Sequence, residues 1–479
     1  MITTTDPGYA PSIEAGPAHP AYVWLSASAG ALGGLLFGYD WVVIGGAKPF
    51  YELYLHLDSP GLQGWAMSCA LIGCLFGAVA SGALSDRFGR KRLLGLAALL
   101  FLVSSLGTGL ADTFLTFVAW RILGGFAIGM ASNISPMYIS EIAPARHRGR
   151  LVSLNQLAIV FGILAAQLVN WRIARPVAAG VSPAEILSSW NGQWAWRWMF
   201  LATIVPSALF LISVVFIPES PRWLASKGKL EPARQVLDRL GGAIYADAVL
   251  RDFAAARDIQ PRGSLVAELR APGIPGVLLL GIGLAVFQQW CGLNVVFNYA
   301  QEIFSAAGFQ VSDILFNIVV TGAVNVIFTF VALYTIDRYG RRFLLLIGAS
   351  GLAVVYTALG TLYHLRFQGK PMLALVLAAI ACYAMSLAPA TWVVIAEIFP
   401  TRIRSSAMSI AITALWIASF VLTYSFPLLN AALGAAGTFW TYALVCVCGG
   451  LFLYFRLPET KGQTLEQIEA SLLKSSRQG

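Results

Sequence analysis

Apolar residues in this chain come in uninterrupted runs of about 20, the length at which one helix crosses a ~30 Å hydrocarbon layer. Only helices and closed barrels satisfy every backbone polar group in lipid. A barrel would show segments of about ten residues in which polar and apolar positions alternate. These runs do not alternate, so the chain reads as an all-α membrane protein. Only 11% of its residues are charged, against about 25% in a soluble globular chain, so a soluble domain of this size is excluded.

The runs predict about twelve membrane helices in two sets of six. The first set lies near Tyr22–Ile44, Leu62–Leu84, Leu93–Leu110, Phe114–Ile139, Leu151–Trp171 and Trp198–Ile217. The second lies near Ile274–Ala300, Ile314–Ile336, Phe343–His364, Met372–Ala396, Ser405–Leu429 and Phe439–Leu457. The expected organisation is a disordered tail (1–20), one half (21–217), a charged helical linker (218–272), a second half (273–457) and a short tail (458–479). The first run is too long for a signal-peptide core and holds Asp40, so it reads as a retained helix.

The net charge of +9 does not point to nucleic acid. Its Lys and Arg sit in alternate loops: Arg87, Arg90, Lys91 and Arg92; Arg146, Arg148 and Arg150; Arg338, Arg341 and Arg342; Arg402 and Arg404. By the positive-inside rule these loops, the linker and both termini are expected to be cytoplasmic in a cell membrane. The six cysteines fall inside apolar runs without metal-ligand spacing and read as packing residues. No phosphate-cradling loop or metal cluster is visible, so no enzyme activity, cofactor or metal is expected.

The halves repeat each other in order. Gly82–Lys91 contains Asp86-Arg87-Phe88-Gly89-Arg90, echoed by Asp337-Arg338-Tyr339-Gly340-Arg341. Glu141 and Arg148 recur as Glu397 and Arg404, and Pro218-Glu219-Ser220 as Pro458-Glu459-Thr460. Such duplication marks secondary transporters that hold substrate between repeats. Opposite charges at these helix ends, Asp86, Arg87, Arg90, Glu141 and Arg148 with Asp337, Arg338, Arg341, Glu397 and Arg404, form a candidate cytoplasmic gate. The alternative is that the arginines only set topology.

At these motifs the sequence resembles the sugar porter branch of the major facilitator superfamily. The likeness runs from the first helix to Pro458-Glu459-Thr460-Lys461-Gly462, and its pattern is closest to bacterial pentose and hexose proton symporters. The most specific stretches are Pro218-Glu-Ser-Pro-Arg-Trp-Leu224, Gln288-Gln289 with Asn294, and Pro458-Glu-Thr460. The resemblance implies the major facilitator fold, alternating access, a monosaccharide such as xylose, glucose or arabinose, a proton as co-substrate and a working monomer. A facilitative uniporter and a non-transporting sugar sensor on the same fold are the rival readings.

Asp40 and Arg121 fall deep inside apolar runs, where an ionisable residue is costly and each needs a partner. The resemblance makes them the proton-coupling pair, against a fixed ion pair that only joins helices. It also implies sugar contacts for Gln156, Gln288, Gln289, Asn294, Asn325 and Trp392, with Phe37 and Trp416 lining the pocket. Amides suit sugar hydroxyls because they donate and accept without charge; the bland reading is interhelical glue. Ile163 and Phe297 follow glucose carriers, Asn298 replaces a usual Tyr, Leu415 an amide, and Ala388 the Gly before Pro389. Those departures bear on which sugar is carried.

Overall fold

The computed structural model describes residues 19–461, apart from 145–146, 179, 258–268, 272 and 401–402, and from the side chains of 254–257, 311–312, 337 and 405. The expected tail before residue 19 and the residues from 462 onward lie outside the described residues. The first half holds α1 (Pro20–Tyr54), α2 (Pro60–Phe88), α3 (Arg90–Gly109), α4 (Phe114–Ile142), α5 (Arg148–Ile173) and α6 (Asn191–Phe216). Three shorter helices follow: α7 (Pro221–Ser226), α8 (Leu230–Gly241) and α9 (Ala243–Arg257). The second half holds α10 (Ile274–Asn298), α11 (Ala300–Ala306), α12 (Val311–Tyr339), α13 (Arg341–His364), α14 (Lys370–Ile398) and α15 (Arg404–Arg456).

Eleven of these helices are long and apolar enough to cross a membrane. The last is a 53-residue run that turns at Gly434, whose φ of 68° is not helical. It therefore contains two crossings, and the chain has the twelve spans expected. The breaks within other spans follow from local chemistry. Gly292 adopts φ 86° and interrupts α10 just after the Gln288-Gln289 pair. In α14 the helix breaks at Met385-Ser386, and Pro389 lies four residues beyond Met385. A proline ring clashes with the carbonyl four residues back, so the break falls there rather than at the proline itself.

One sequence boundary needs correction. The first helix was expected to stop near Ile44, before Gly45-Gly46 and Pro49; α1 instead continues to Tyr54 with Pro49 inside it. The glycines are contact points, not a terminus. A Cβ on Gly45 would lie 2.9 Å from the Phe297 carbonyl oxygen, and one on Gly46 would lie 2.3 Å from the Asn170 amide nitrogen. The extra turns carry Lys48 and Glu52 into the helix.

The linker packs at the end of the bundle that carries the arginine loops, here the basic end. Ser220 caps α7 by accepting from the Trp223 amide at 3.2 Å, and the Trp223 indole donates to the Asp86 carbonyl at 2.9 Å. Ala233, Leu237 and Leu240 form the buried face of α8.

Contacts between the halves cluster in the middle and at the opposite, far end. Trp65 meets Phe420 at 6.3 Å between ring centroids, Trp171 meets Phe316 at 5.8 Å, and the Gln167 amide donates to Thr321 at 3.4 Å. Toward the basic end Trp392 remains 37% exposed.

Within the first half, α2 and α4 cross backbone against backbone. A Cβ on Gly125 would sit 1.8 Å from the Ala70 carbonyl, and one on Gly129 would sit 2.1 Å from that of Cys74. Small residues let membrane helices approach in this way. Gly125→Val should therefore force the pair apart and cost about 1–3 kcal/mol or more. Thermal unfolding in detergent should show a clear loss for Gly125→Val and little change for Gly82→Ala, where an added Cβ meets nothing within 4 Å.

Candidate functional site

Asp40 and Arg121 meet at the centre of the first half, both 3% exposed. Guanidinium Nη1 lies 2.9 Å from each carboxylate oxygen, and Nη2 reaches the Asp40 carbonyl at 3.5 Å. The guanidinium also lies over the Phe200 ring, 5.5 Å from its centroid. Each charge answers the other in a place where neither could stand alone.

The second constellation begins at the α10 break. Gln288 donates to the Tyr383 hydroxyl at 2.6 Å, Gln289 donates to the Gln288 carbonyl oxygen at 2.7 Å, and Asn294 donates to Gln289 in turn. The break at Gly292 lets Asn294 turn back toward the glutamines; an unbroken helix would hold it further along the axis. Tyr383 stands on α14 just before that helix breaks. Phe37, Trp41 and Trp416 form an aromatic triangle across the halves, with centroid separations of 5.9, 6.1 and 6.1 Å. The buried Trp416 indole N–H has no hydrogen-bond partner among the described residues. Trp290 ties α10 to α15 by donating to the Ala418 carbonyl at 3.0 Å, two residues past Trp416. Gln156, Asn325 and Trp392 stand on α5, α12 and α14 and take no part in the amide chain or the triangle. Asn325 is buried, and Gln156 is half-buried.

At the basic end the duplicated charges form duplicated pairs. Arg90 contacts Asp86 at 3.3 Å and Glu141 at 3.0 Å. Arg341 contacts Glu397 at 3.4 Å. Arg404 donates to the Phe399 carbonyl at 3.2 Å. Arg87 lies against Phe88 and Arg338 against Tyr334 and Tyr339, all at the surface. Arg148 is exposed, and the partner of Glu141 is Arg90. The Asp337 side chain lies outside the described residues. These pairs lie within one half, not across the interface, so they brace each half's helix ends.

Several participants were not singled out from sequence. Glu219 accepts from the backbone amides of Arg90 and Lys91 at 2.9 and 3.1 Å; Glu459 does the same for Arg341 and Arg342 at 3.1 and 3.2 Å. Each caps a helix start, where unpaired N–H groups favour an anion. The Pro-Glu repeat marked these residues but not their partners. Tyr383 and Gln167 gave no motif signal. Lys48 and Glu52 fall beyond the Ile44 end expected for the first helix, and Glu302 falls just beyond the Ala300 end expected for the seventh span.

Residues 27–472 match the family described as Sugar (and other) transporter. This chain belongs to the sugar transporter family. It is 36% identical to the D-xylose-proton symporter of Escherichia coli (strain K12), covering 94% of this chain and 96% of that protein. It is 38% identical to the Arabinose-proton symporter of Bacillus subtilis (strain 168), covering 95% and 96%. Among solved structures, the inward open conformation of the xylose transporter XylE from E. coli matches with a TM-score of 0.81 at 35% identity, over 94% of this chain and all of that one. XylE bound to 6-bromo-6-deoxy-D-glucose, titled a proton:xylose symporter of the major facilitator superfamily, matches with a TM-score of 0.76 at 36% identity, over 94% and 99%. The chain is thus a multi-pass membrane protein of the major facilitator fold.

The central ion pair of this transporter yields a stability test. Removing one partner leaves a buried charge, which costs about 3–5 kcal/mol; removing both costs far less. Arg121→Leu should lower the unfolding temperature sharply in detergent, and adding Asp40→Asn should restore much of it. Equal losses in the single and double variants would count against mutual neutralisation.

Proposed function

We propose that this chain is a proton-coupled monosaccharide symporter that works by alternating access and carries a pentose or hexose. The observation that carries this reading is the fully buried Asp40–Arg121 pair, set on the same helix as an aromatic triangle that reaches the other half. An acid held in the membrane interior beside one cation is a two-state element. Ionised, Asp40 holds Arg121; protonated, it releases the guanidinium, and α1 and α4 are free to shift. Relatives whose names specify xylose, arabinose or glucose support the substrate class.

In this reading the sugar sits between the halves. Gln288, Gln289 and Asn294 bind hydroxyls, the free Trp416 N–H donates to another, and Phe37 covers the apolar ring face, with Gln156, Asn325 and Trp392 closing around it. Binding separates the amide chain from itself and pairs it with sugar. The basic end faces the cytoplasm, both termini lie there, and the monomer is the working unit. The pairs Asp86–Arg90–Glu141 and Arg341–Glu397 brace the helix ends of each half as it rocks, and the remaining charges of these loops supply whatever contact closes the cytoplasmic side between the halves.

Two measurements test this. In proteoliposomes, Asp40→Asn should abolish uphill accumulation driven by a pH gradient, while counterflow exchange of labelled sugar persists at least in part. If the parent protein exchanges sugar but a pH gradient never drives accumulation, the protein is a uniporter. For the pocket, Gln288→Ala or Asn294→Ala should weaken sugar binding by about 1–3 kcal/mol, because partners are left unpaired in a dry site. Calorimetry with a panel of pentoses and hexoses would read this, and unchanged affinity in both variants would remove these amides from the site.

A further inference from the structure

Lys48 is the most deeply buried lysine side chain described, only 2% exposed, and it lies at the far end of the bundle from the arginine loops. Its ammonium contacts Glu52, one turn along α1, at 2.9 Å, and it also pairs directly with Glu302 on α11. The same ammonium stands over the Tyr299 ring, 5.5 Å from its centroid. Tyr299 is itself fixed to the second half, donating to the Thr423 carbonyl at 2.7 Å. One lysine of the first half is therefore held by an acid of its own helix and by a group of the second half. The two carboxylates differ in setting: the Glu52 side chain is 14% exposed and that of Glu302 is 27% exposed.

We propose that Lys48 and Glu302 form a latch that closes the far side of the transporter, and that Glu52 is the partner retained by Lys48 when the latch opens. This rests on the alternating-access reading above. Alternating access requires the far ends of α1 and α11 to separate. A lysine buried with a single partner would then be stranded, and an unpaired buried charge is prohibitively costly. Glu52 removes that cost because it travels with Lys48. Glu302, nearer the surface, is released into water, which solvates it. The exchange of one carboxylate for water is a small enough step for a two-state carrier to cross repeatedly. Lys48 and Glu302 are thus gating residues, and Glu52 tunes how easily they part.

The two acids then have opposite effects, which a purely bracing role would not give. Glu302→Gln removes the cross-half partner and favours the far-open state. Glu52→Gln leaves Lys48 dependent on Glu302 alone and favours the far-closed state. A reporter thiol at Ser419, buried on α15 beside the Trp65–Phe420 contact, would read both. Ser419→Cys in a Cys-free background is placed in vesicles and treated with an impermeant maleimide from the Lys48 side. Glu302→Gln should label roughly fivefold faster or more, and Glu52→Gln slower, than the parent reporter. Proton-driven sugar uptake by the parent reporter is measured in the same vesicles. No uptake there means that the transport reading has failed, and the latch with it. Uptake with unchanged labelling in both variants, or with both shifting in one direction, overturns the latch alone. Thermal unfolding of both variants checks that they are folded; a variant that fails is replaced by Glu302→Asp or Glu52→Asp, whose shorter acids should give the same signs at smaller size.

Discussion

A charge buried inside a membrane protein must be answered by another charge, and that requirement arranges the buried ion pairs of this chain. Asp40 answers Arg121, Lys48 answers Glu52 and Glu302, and Arg90 answers Glu141. Asp40–Arg121, Lys48–Glu302 and Arg90–Glu141 each join separate helices, and lipid, as apolar as leucine, gives helices no hydrophobic reason of their own to associate. The charges therefore do more than survive burial. They decide which helix lies against which, and at what depth.

The duplication explains which of those pairs come twice. At the basic end Glu219 and Glu459 cap helix starts in the same way, and Arg90–Glu141 is repeated by Arg341–Glu397. Bracing is needed equally in both halves, so both copies keep it. The centre is not duplicated. Asp40 and Arg121 lie in the first half, and the amide chain from Gln288 to Asn294 lies in the second. If the proposed function holds, one repeat handles the proton and the other most of the sugar, and coupling must pass through contacts such as Phe37–Trp416 that join them.

Much of this was legible from residue order. Run length gave the spans, the repeated motifs gave the two halves, and the long charged stretch between them gave the linker. Cost alone required a partner for Asp40 and for Arg121, the resemblance paired them with each other, and the structure brings them together. What the sequence concealed has physical causes. Gly45, Gly46 and Pro49 have poor helix propensity, yet α1 runs through them because tertiary contact with Phe297 and Asn170 overrides propensity. Glu141 and Arg148 recur together in both copies, yet the partner of Glu141 is Arg90, supplied by a helix that no spacing rule could bring in. Tyr383 was missed because a single tyrosine in an apolar run carries no pattern.

The contacts within and between the halves differ in kind, and that difference bears on how the molecule moves. Inside the first half, α2 and α4 meet with glycine against carbonyl, an approach so close that the two backbones act as one body. Across the interface the contacts are made largely by side chains: Gln167 to Thr321, Trp171 against Phe316, Phe161 against Phe330 at 6.4 Å. Side chains can exchange partners by rotating, whereas interlocked backbones cannot. Motion is therefore cheapest along the seam between the halves, and it is along this seam that the aromatic triangle and the Lys48–Glu302 pair lie. At the far end Gly45 lies against the Phe297 carbonyl, an approach that no larger residue at that position would permit without displacement of its neighbours. Two rigid bodies, a seam of replaceable side-chain contacts and glycines where backbone meets the facing half at the far end, Gly45 at Phe297 and Gly64 at Tyr424, give a geometry in which the halves can move against each other along that seam.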